Sequence, residues 1–258
     1  MSDRKQIPGK FGWFELVAKD ARGAQAFYAE LLGWRMQPFP MGSSAYEMIY
    51  VGDTMIGGYR APASDAVPSH WISYVSVEDV DAAAKSVVAL GGRVIDAPAD
   101  MPGVGRSARI ADPAGAQTCL FKSNGGDPPD APAVPGSWLW NELHTPDPAR
   151  ALAFYEKVLG FASRPVDMGP TGTYHVVSRD GVDRGGVTSI MADGASPAWL
   201  PYVHVDDVDA VAVRATRLGG SVFFGPEDIP NVGRFAGVKD PTGAALAVMK
   251  PLPTEKAR

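Results

Sequence analysis

Apolar residues recur at helical spacing in two matching stretches of the chain. Both stretches follow the i, i+3, i+4, i+7, i+8 rule of an amphipathic helix, with Ala24, Phe27, Tyr28, Leu31 and Leu32 in one and Ala151, Phe154, Tyr155, Val158 and Leu159 in the other. Asp20 precedes the first stretch as a candidate N-cap, and Gly33 ends it. In the second stretch Asp147 is the candidate cap and Pro148 takes the favoured first helical position. The pattern therefore predicts two similar helices.

A second pair of helices is predicted further along each half, beginning after Asp79 and Asp207 and ending at Gly91 and Gly219. Short segments rich in β-branched and aromatic residues lie between the helices, at residues 46–51, 71–77, 174–178 and 202–205. Each half is therefore predicted to run as strand, helix and several strands, followed by the same order once more.

The two halves of the chain repeat each other. Residues 27–34 recur as 154–161, 74–82 as 202–210, 90–92 as 218–220, 100–106 as 228–234 and 112–116 as 240–244. The nearly constant offset, 127 residues at the first block and 128 at the others, indicates a tandem duplication. Residues 123–136 hold four prolines and three glycines, which is typical of an extended linker. We therefore predict domains at residues 10–122 and 136–251, joined by a Pro/Gly-rich linker at 123–135.

Composition narrows the class of protein. Of the 258 residues, 45% are apolar and 21% charged, as in ordinary globular domains. The net charge of −5 is unlike that of a nucleic-acid-binding surface. The chain lacks a run of about 18 apolar residues and the apolar core of a signal peptide, so we expect a cytoplasmic protein that does not enter a membrane. Cys119 is the single cysteine, which excludes an intramolecular disulfide and a cysteine-rich zinc site.

The shared blocks also carry the motifs of a known superfamily. They are Phe27-Tyr28 with Leu32-Gly33, the segment 77–81, the turn Asp112-Pro113-x-Gly115, and the copies of all three in the second half. Together they resemble the vicinal-oxygen-chelate superfamily of glyoxalases, bleomycin-resistance proteins and extradiol dioxygenases, over nearly the whole chain. The chain is similar to the two-domain actinobacterial type related to a mycobacterial secreted glyoxalase-like antigen, whose members are labelled hydroxylases. The implied fold class is α+β, with tandem glyoxalase-like domains, each made of two βαβββ units that form a half-open cup for a ligand.

The resemblance also implies where metal-dependent members hold their ion. Those positions are Trp13, Ile72 and Cys119 in the first half and Trp140, Leu200 and Ala247 in the second. Trp, Ile, Leu and Ala side chains offer no donor suited to a divalent ion, and one thiol cannot build a site. The usual metal triad is therefore missing from both halves. No cofactor is expected, and the fold alone does not supply the reaction.

Alternation along the strands predicts what each cup presents to a ligand. The first cup is expected to hold Trp13, Glu15, His70, Ile72 and Tyr74, and the second Trp138, Trp140, Glu142, His144, Leu200, Tyr202 and His204. Aromatic walls with few polar groups are the usual make-up of a small-molecule pocket.

Glu15 and Glu142 are candidate general bases or polar anchors, because desolvation raises the pKa of a carboxyl toward the range that suits proton abstraction. The plainer interpretation is a carboxylate that meets water or caps a backbone group at a strand end.

Two matching arginines are candidate ligand anchors. Arg106 and Arg234 each follow a Pro-x-Val-Gly sequence and could meet an anionic group of the ligand. The alternative is a surface ion pair with the neighbouring Asp100 or Asp228.

Other paired residues favour structural interpretations. Tyr46 and Tyr174 are interpreted as packing residues rather than catalytic acids, and Cys119 as an inert core residue. The glycine pairs at 57–58 and 185–186 are interpreted as bulges or tight bends.

Three hypotheses of function remain open. The leading one is a protein that binds a small, partly aromatic organic molecule without the usual metal, either transferring a proton through Glu15 or Glu142 or only sequestering the ligand. The first alternative is a metal-dependent lyase or dioxygenase with a relocated site at Glu142, His144 and His204, a two-histidine, one-carboxylate set. The second is a protein-interaction module with an exposed aromatic patch. Either a monomer or a homodimer is compatible with the duplication.

Overall fold

The computed structural model describes residues 4–41, 44–169, 172–190 and 194–253, which form four α-helices and sixteen β-strands. The helices are Ala21–Leu32 (α1), Val80–Ala89 (α2), Pro148–Leu159 (α3) and Val208–Arg217 (α4). The strands of the first half are Phe11–Val17 (β1), Arg35–Met41 (β2), Ser44–Val51 (β3), Thr54–Arg60 (β4), His70–Ser76 (β5), Arg93–Met101 (β6), Gly105–Ala111 (β7) and Gln117–Ser123 (β8). Those of the second half are Trp138–Thr145 (β9), Ala162–Asp167 (β10), Thr173–Arg179 (β11), Val182–Ser189 (β12), Ala198–His204 (β13), Ser221–Ile229 (β14), Gly233–Lys239 (β15) and Ala245–Pro251 (β16). No helix in the described ranges is long and apolar enough to cross a membrane.

Each half of the sequence forms one eight-stranded mixed sheet. The strand orders are β2-β3-β4-β1-β5-β8-β7-β6 and β10-β11-β12-β9-β13-β16-β15-β14. Within each βαβββ unit the first strand pairs in parallel with the last, as β1 does with β4 and β9 with β12, and the remaining pairs are antiparallel. The predicted α+β class and the four βαβββ units are confirmed.

The predicted caps define the helix ends. The carboxylate of Asp20 accepts a hydrogen bond from the backbone N–H of Gly23, and Asp147 does the same for Arg150. Gly33 closes α1 in the left-handed conformation at φ 71°, which glycine adopts without steric cost. Local sequence therefore determines where these helices begin and end.

Spatial contacts group the chain into two compact units that differ from the sequence halves. The first unit contains the N-terminal segment up to Trp13, Ile72–Ala131 and Trp140–Leu200, and therefore holds α2 and α3. The second contains Phe14–Trp71, Pro132–Leu139 and the chain from Pro201 onward, and therefore holds α1 and α4. Each helix thus packs against a helix from the other half of the sequence.

The core of the second unit includes a cluster of aromatic rings. The Trp138 ring centroid lies 4.3 Å from that of Phe14 and 5.2 Å from those of Trp34 and Trp71. The indole N–H of Trp138 donates to the carbonyl oxygen of Ile56 at 2.7 Å. The expectation that Trp138 lines the second cup is therefore wrong, because its ring is committed to this cluster.

The repeated Leu-Gly-Gly sequence allows a helix and a strand to approach closely. Gly91 has φ 82°, and Gly92 follows it directly beneath the ring of Phe154. A Cβ atom at Gly92 would lie 2.7 Å from the carbonyl oxygen of Ala111 and 3.0 Å from that ring. In the second unit, a Cβ atom at Gly220 would lie 2.9 Å from the ring of Phe27. The repeated glycine therefore marks a position without room for a side chain.

The linker predicted between the halves forms no helix or strand between Ser123 and Trp138, but it is held by hydrogen bonds. In the first unit Asp127 accepts from the backbone N–H of Ile7 and the hydroxyl of Ser76, both at 2.6 Å. In the second unit the carbonyl oxygen of Ala133 lies 2.9 Å from Nδ1 of His204. The segment is therefore a fixed part of each unit.

The carboxylate of Asp130 in the linker contacts two positively charged side chains. Asp130 lies 2.8 Å from Nη1 of Arg184 and 3.1 Å from Nζ of Lys10. The Arg184 hydrogen bond and the Lys10 charge hold the pKa of Asp130 below its ordinary value.

Substituting Gly92 by alanine is expected to lower the free energy of unfolding by about 1–3 kcal/mol, because the added methyl group collides with backbone and with the ring of Phe154. Urea unfolding measures this change. Gly12→Ala is the matched control, since no atom lies within 4 Å of a Cβ there. Equal stability of the two variants would contradict the close approach.

Asp130→Asn is expected to lower the free energy of unfolding at neutral pH by about 1 kcal/mol or less, since Asp130 is partly exposed and solvent screens the pair. The folded pKa of Asp130 is depressed, so its stabilising contribution is complete above the unfolded pKa and disappears as pH falls through the folded value. The difference between wild type and variant should therefore shrink below about pH 4. Urea unfolding over a pH series checks this, and a difference that grows in acid would refute it.

Candidate functional site

Two buried carboxylates occupy matching positions in the two halves. Glu15 lies on β1 opposite Gly58 of β4, and Glu142 lies on β9 opposite Gly186 of β12. The two glutamates are 4% and 8% exposed, which is rare for an acidic residue without polar partners. Each therefore needs neighbours that satisfy its charge.

The Glu15 centre consists of Glu15, Tyr46 and Arg60. The hydroxyl of Tyr46 donates to Oε1 of Glu15 at 2.8 Å, and Nε of Arg60 donates to Oε2 at 2.7 Å. Each carboxylate oxygen thus has a donor, one of which carries a full positive charge.

The Glu142 centre consists of Glu142, His144, Tyr174 and Trp140. Nε2 of His144 lies 2.8 Å from Oε1 of Glu142, although this contact lacks the in-line geometry of a hydrogen bond. The hydroxyl of Tyr174 hydrogen-bonds the Glu142 carboxylate and accepts from the indole N–H of Trp140 at 2.8 Å. The side chains of Trp140, Tyr174 and Glu142 therefore form a connected polar chain.

The phenol of Tyr174 serves this centre as a donor. Burial, and next the negative charge of Glu142, raise the pKa of Tyr174 far above its ordinary value. The hydroxyl consequently keeps its proton at physiological pH and directs it to the carboxylate.

The glycine pairs make room for both tyrosines. A Cβ atom at Gly58 would overlap the hydroxyl of Tyr46, and one at Gly186 would overlap that of Tyr174. Gly58 and Gly186 pair regularly with β1 and β9, and on its other edge each glycine pair borders a register shift, in the pairing of β3 with β4 and of β11 with β12, as a bulge interpretation expects. The absence of a side chain at Gly58 and Gly186 also lets each tyrosine cross the strand and reach the carboxylate.

Tyr46 and Tyr174 were predicted to be packing residues, and their contact with the carboxylates was not predicted from the sequence. A signal was present, because each tyrosine and its glycine pair recur together at the 128-residue offset. Without the pairing of the strands, that coincidence does not reveal a hydrogen bond.

The predicted anchor arginines are held in ion pairs. Arg106 contacts Asp81 through Nε and Nη2 at 2.7 and 2.9 Å, and Asp100 through Nη1 at 2.8 Å. Arg234 repeats the arrangement with Asp209 and Asp228. These contacts tie the start of β7 or β15 to the start of α2 or α4, and they include the ion pairs with Asp100 and Asp228 that the alternative proposed.

The other predicted ligand-binding residues lie on the central strands of the two sheets. Trp13 and Trp140 are half-buried, Ile72, Leu200 and Tyr202 are buried, and Tyr74 is half-buried with its ring edge-on to Phe121. Cys119 is buried opposite Tyr74 in the strand register, which is consistent with a core cysteine. Contact with a ligand stays a prediction for all of them.

The side chains present do not fit a divalent metal ion. The family's ligand positions hold Trp13, Ile72 and Cys119 in the first half, and their counterparts in the second half offer no metal donor. Within the described ranges, no three His, Cys, Asp or Glu side chains come together. Glu142 and His144 meet, but no triad with His204 forms, and Nδ1 of His204 contacts the linker carbonyl at Ala133.

All six tryptophans lie in the described part of the chain, and none is exposed. The protein-interaction alternative required tryptophans on an outer face. The described tryptophans do not supply such a face, although Phe39 and Phe223 are exposed.

Known protein families match both halves of the chain. A family model described as a glyoxalase-like domain matches residues 13–121, and one described as the glyoxalase/bleomycin resistance protein/dioxygenase superfamily matches residues 140–248. The protein "Putative glyoxylase CFP32" of Mycobacterium tuberculosis (strain CDC 1551 / Oshkosh) is 36% identical over 253 residues, covering 96% of this chain and 97% of the relative.

Two further similarities concern an antibiotic pathway and a solved structure. The anthracycline biosynthesis protein DnrV of Streptomyces peucetius is 33% identical, with 94% of each chain covered. The Mn(II)-bound glyoxalase from Novosphingobium aromaticivorans superposes with a TM-score of 0.66 at 19% identity, covering 95% of this chain and 83% of that one, which shows a shared fold.

Gly186→Ala is expected to displace Tyr174 from Glu142, because the new methyl group takes the place of the phenol hydroxyl. The pKa of Tyr174 should then fall toward its ordinary value of about 10. An absorbance titration of tyrosinate should detect one additional tyrosine that ionises before the protein unfolds. The double variant Gly186→Ala/Tyr174→Phe should lose that additional titration, and an unchanged titration of the single variant would refute the crossing.

Proposed function

This chain belongs to the glyoxalase/bleomycin resistance protein/dioxygenase superfamily, and we propose that it binds a small, partly aromatic organic molecule and takes a proton from it with a buried carboxylate. The observation that carries the proposal is the Glu142 centre. A buried glutamate oriented by a tyrosine hydroxyl and contacted by an imidazole is a suitable general base.

The proposed step is proton abstraction from a carbon beside a carbonyl group. The C–H proton moves to a carboxylate oxygen of Glu142, the electron pair of that bond forms the C=C bond of an enolate, and the π pair of the carbonyl moves onto its oxygen. Return of a proton from Glu142 to the carbon restores the ketone. Tyr174 holds the carboxylate in place, and the buried surroundings exclude water that would compete for it.

The ligand class follows from the residues at the centre and from the relatives. Trp140 and Tyr174 place two aromatic rings beside the base, and flat aromatic ligands pack well on such rings. The name of the Streptomyces peucetius relative assigns it to anthracycline biosynthesis, and anthracyclines are aromatic ketones. Both points favour an aryl ketone over an aliphatic substrate.

Wild-type protein is expected to exchange the protons beside the carbonyl of 2-hydroxyacetophenone for deuterium in D2O. Glu142→Gln should slow this exchange by about 10²-fold or more, because the amide cannot accept the proton. Proton NMR follows the exchange, and quenching of tryptophan fluorescence gives the affinity for the probe, which should change little. Glu156→Gln, at an exposed helix position, is the control. Binding without exchange would indicate sequestration, and unchanged exchange in Glu15→Gln/Glu142→Gln would disprove carboxylate catalysis.

A further inference from the structure

The two carboxylate centres share a glutamate, a tyrosine and a glycine that leaves room for the tyrosine, but they differ in the nitrogen group beside the carboxylate. Glu15 is paired with Arg60, whose equivalent in the second half is Thr188. Glu142 is paired with His144, whose equivalent in the first half is Val17. The duplication has therefore left each half with a different basic group, on a different strand.

The two basic groups differ in what they can do with a proton. An arginine guanidinium does not lose its proton in proteins, so Arg60 holds Glu15 in a fixed ion pair and cannot receive a proton from it. Tyr46 occupies the other carboxylate oxygen. A histidine ring, in contrast, accepts a proton on one nitrogen and releases one from the other near neutral pH.

The position of His144 suits such a transfer. Its Nε2 lies 2.8 Å from Oε1 of Glu142, close enough for a proton to pass although the contact is not aligned as a hydrogen bond, and 28% of its side chain is exposed, whereas the Glu142 side chain is only 11% exposed. A proton collected by the buried carboxylate therefore has a short path through the imidazole to solvent. Glu15 has no comparable path through Arg60.

We infer that the two centres have different tasks: Glu142 exchanges protons with solvent through His144, whereas Glu15 and Arg60 form a fixed ion pair that takes no part in proton transfer. The inference rests on the proposed function. In the balanced step, the substrate proton passes from Glu142 to Nε2 of His144 while the ring releases a proton to water, and a solvent deuteron returns by the same route. His144 acts through Glu142 and is a positioning residue.

The first test is chemical rescue of the exchange reaction with the 2-hydroxyacetophenone probe. His144→Ala should slow deuterium exchange about tenfold or more without raising KM, and added imidazole should restore the rate, since free imidazole can carry the same proton. A purely structural role would not respond to imidazole. A His144→Ala variant as active as the wild type, or one that imidazole fails to rescue, would overturn the inference while leaving the proposed function intact.

A matched variant imitates the Glu15 centre. Thr188 lies opposite His144 in the pairing of β9 with β12, so Thr188→Arg in the His144→Ala background brings a guanidinium to the side of Glu142. Imidazole should not rescue this double variant, because the fixed charge occupies the carboxylate. Rescue equal to that of His144→Ala alone would contradict the distinction between the two basic groups.

A ligand-free measurement separates failure of the inference from failure of the proposed function. The ring ¹⁵N shifts of His144 at neutral pH should change in Glu142→Gln, because the carboxylate charge 2.8 Å from Nε2 is removed, while those of His175 stay constant. If they change but no probe exchanges, the proposed reaction fails and the coupled pair stands. If they do not change, the inference is overturned whatever the exchange rate.

Discussion

The packing of each helix against a helix from the other half of the sequence is the contact on which the rest of this structure depends. Each α-helix presents one apolar face, which packs partly on strands of its own half and partly on the partner helix. In the first unit α2 and α3 meet where Gly92 admits the ring of Phe154, and in the second Gly220 admits Phe27. A single half of the chain would leave both of its helices without their partner helices, so the duplication contributes to the stability of the fold.

The sheets that carry these helices also position the carboxylates. Parallel pairing of β9 with β12 brings Glu142 opposite Gly186, and the antiparallel neighbour β11 brings Tyr174 across that glycine. The arrangement at β1, β3 and β4 is the same. Burying a carboxylate is costly unless donors surround it, so the tyrosine and the basic group are needed for the glutamate to remain in the interior.

The two halves of the chain agree at residues that stabilise the fold and differ at residues beside the buried carboxylates. Both retain the helix caps, the close-packed glycines and the arginine ion pairs at Arg106 and Arg234. They differ in the group beside the carboxylate, arginine in one copy and histidine in the other. The metal-binding positions of the superfamily hold Trp13, Ile72 and Cys119 in one copy and Trp140, Leu200 and Ala247 in the other, and the proposed chemistry is therefore placed at the carboxylates.

Much of the fold was readable from local sequence. Helix boundaries followed from Asp20, Asp147 and the closing glycines because caps act within a few residues, and the repeat showed that each half contains the same elements. Alternation along the strands predicted that Glu15 and Glu142 face a cup, and the structure shows that both side chains are buried. The errors came from contacts between distant parts of the chain. Trp138 lies two residues before Trp140 on the same strand, but its ring packs in the aromatic cluster of Phe14, Trp34 and Trp71. The contact of Tyr46 with Glu15 became visible only from the pairing of β3 with β4.

Sequence by itself determined the elements, their ends and the kinds of residue available, since those depend on neighbours along the chain. The proximity of His144 to Glu142 could be read from the sequence, but only tertiary structure decided that Arg60 pairs with Glu15 and that Tyr46 and Tyr174 reach the two carboxylates, because strand pairing brings together residues dozens of positions apart.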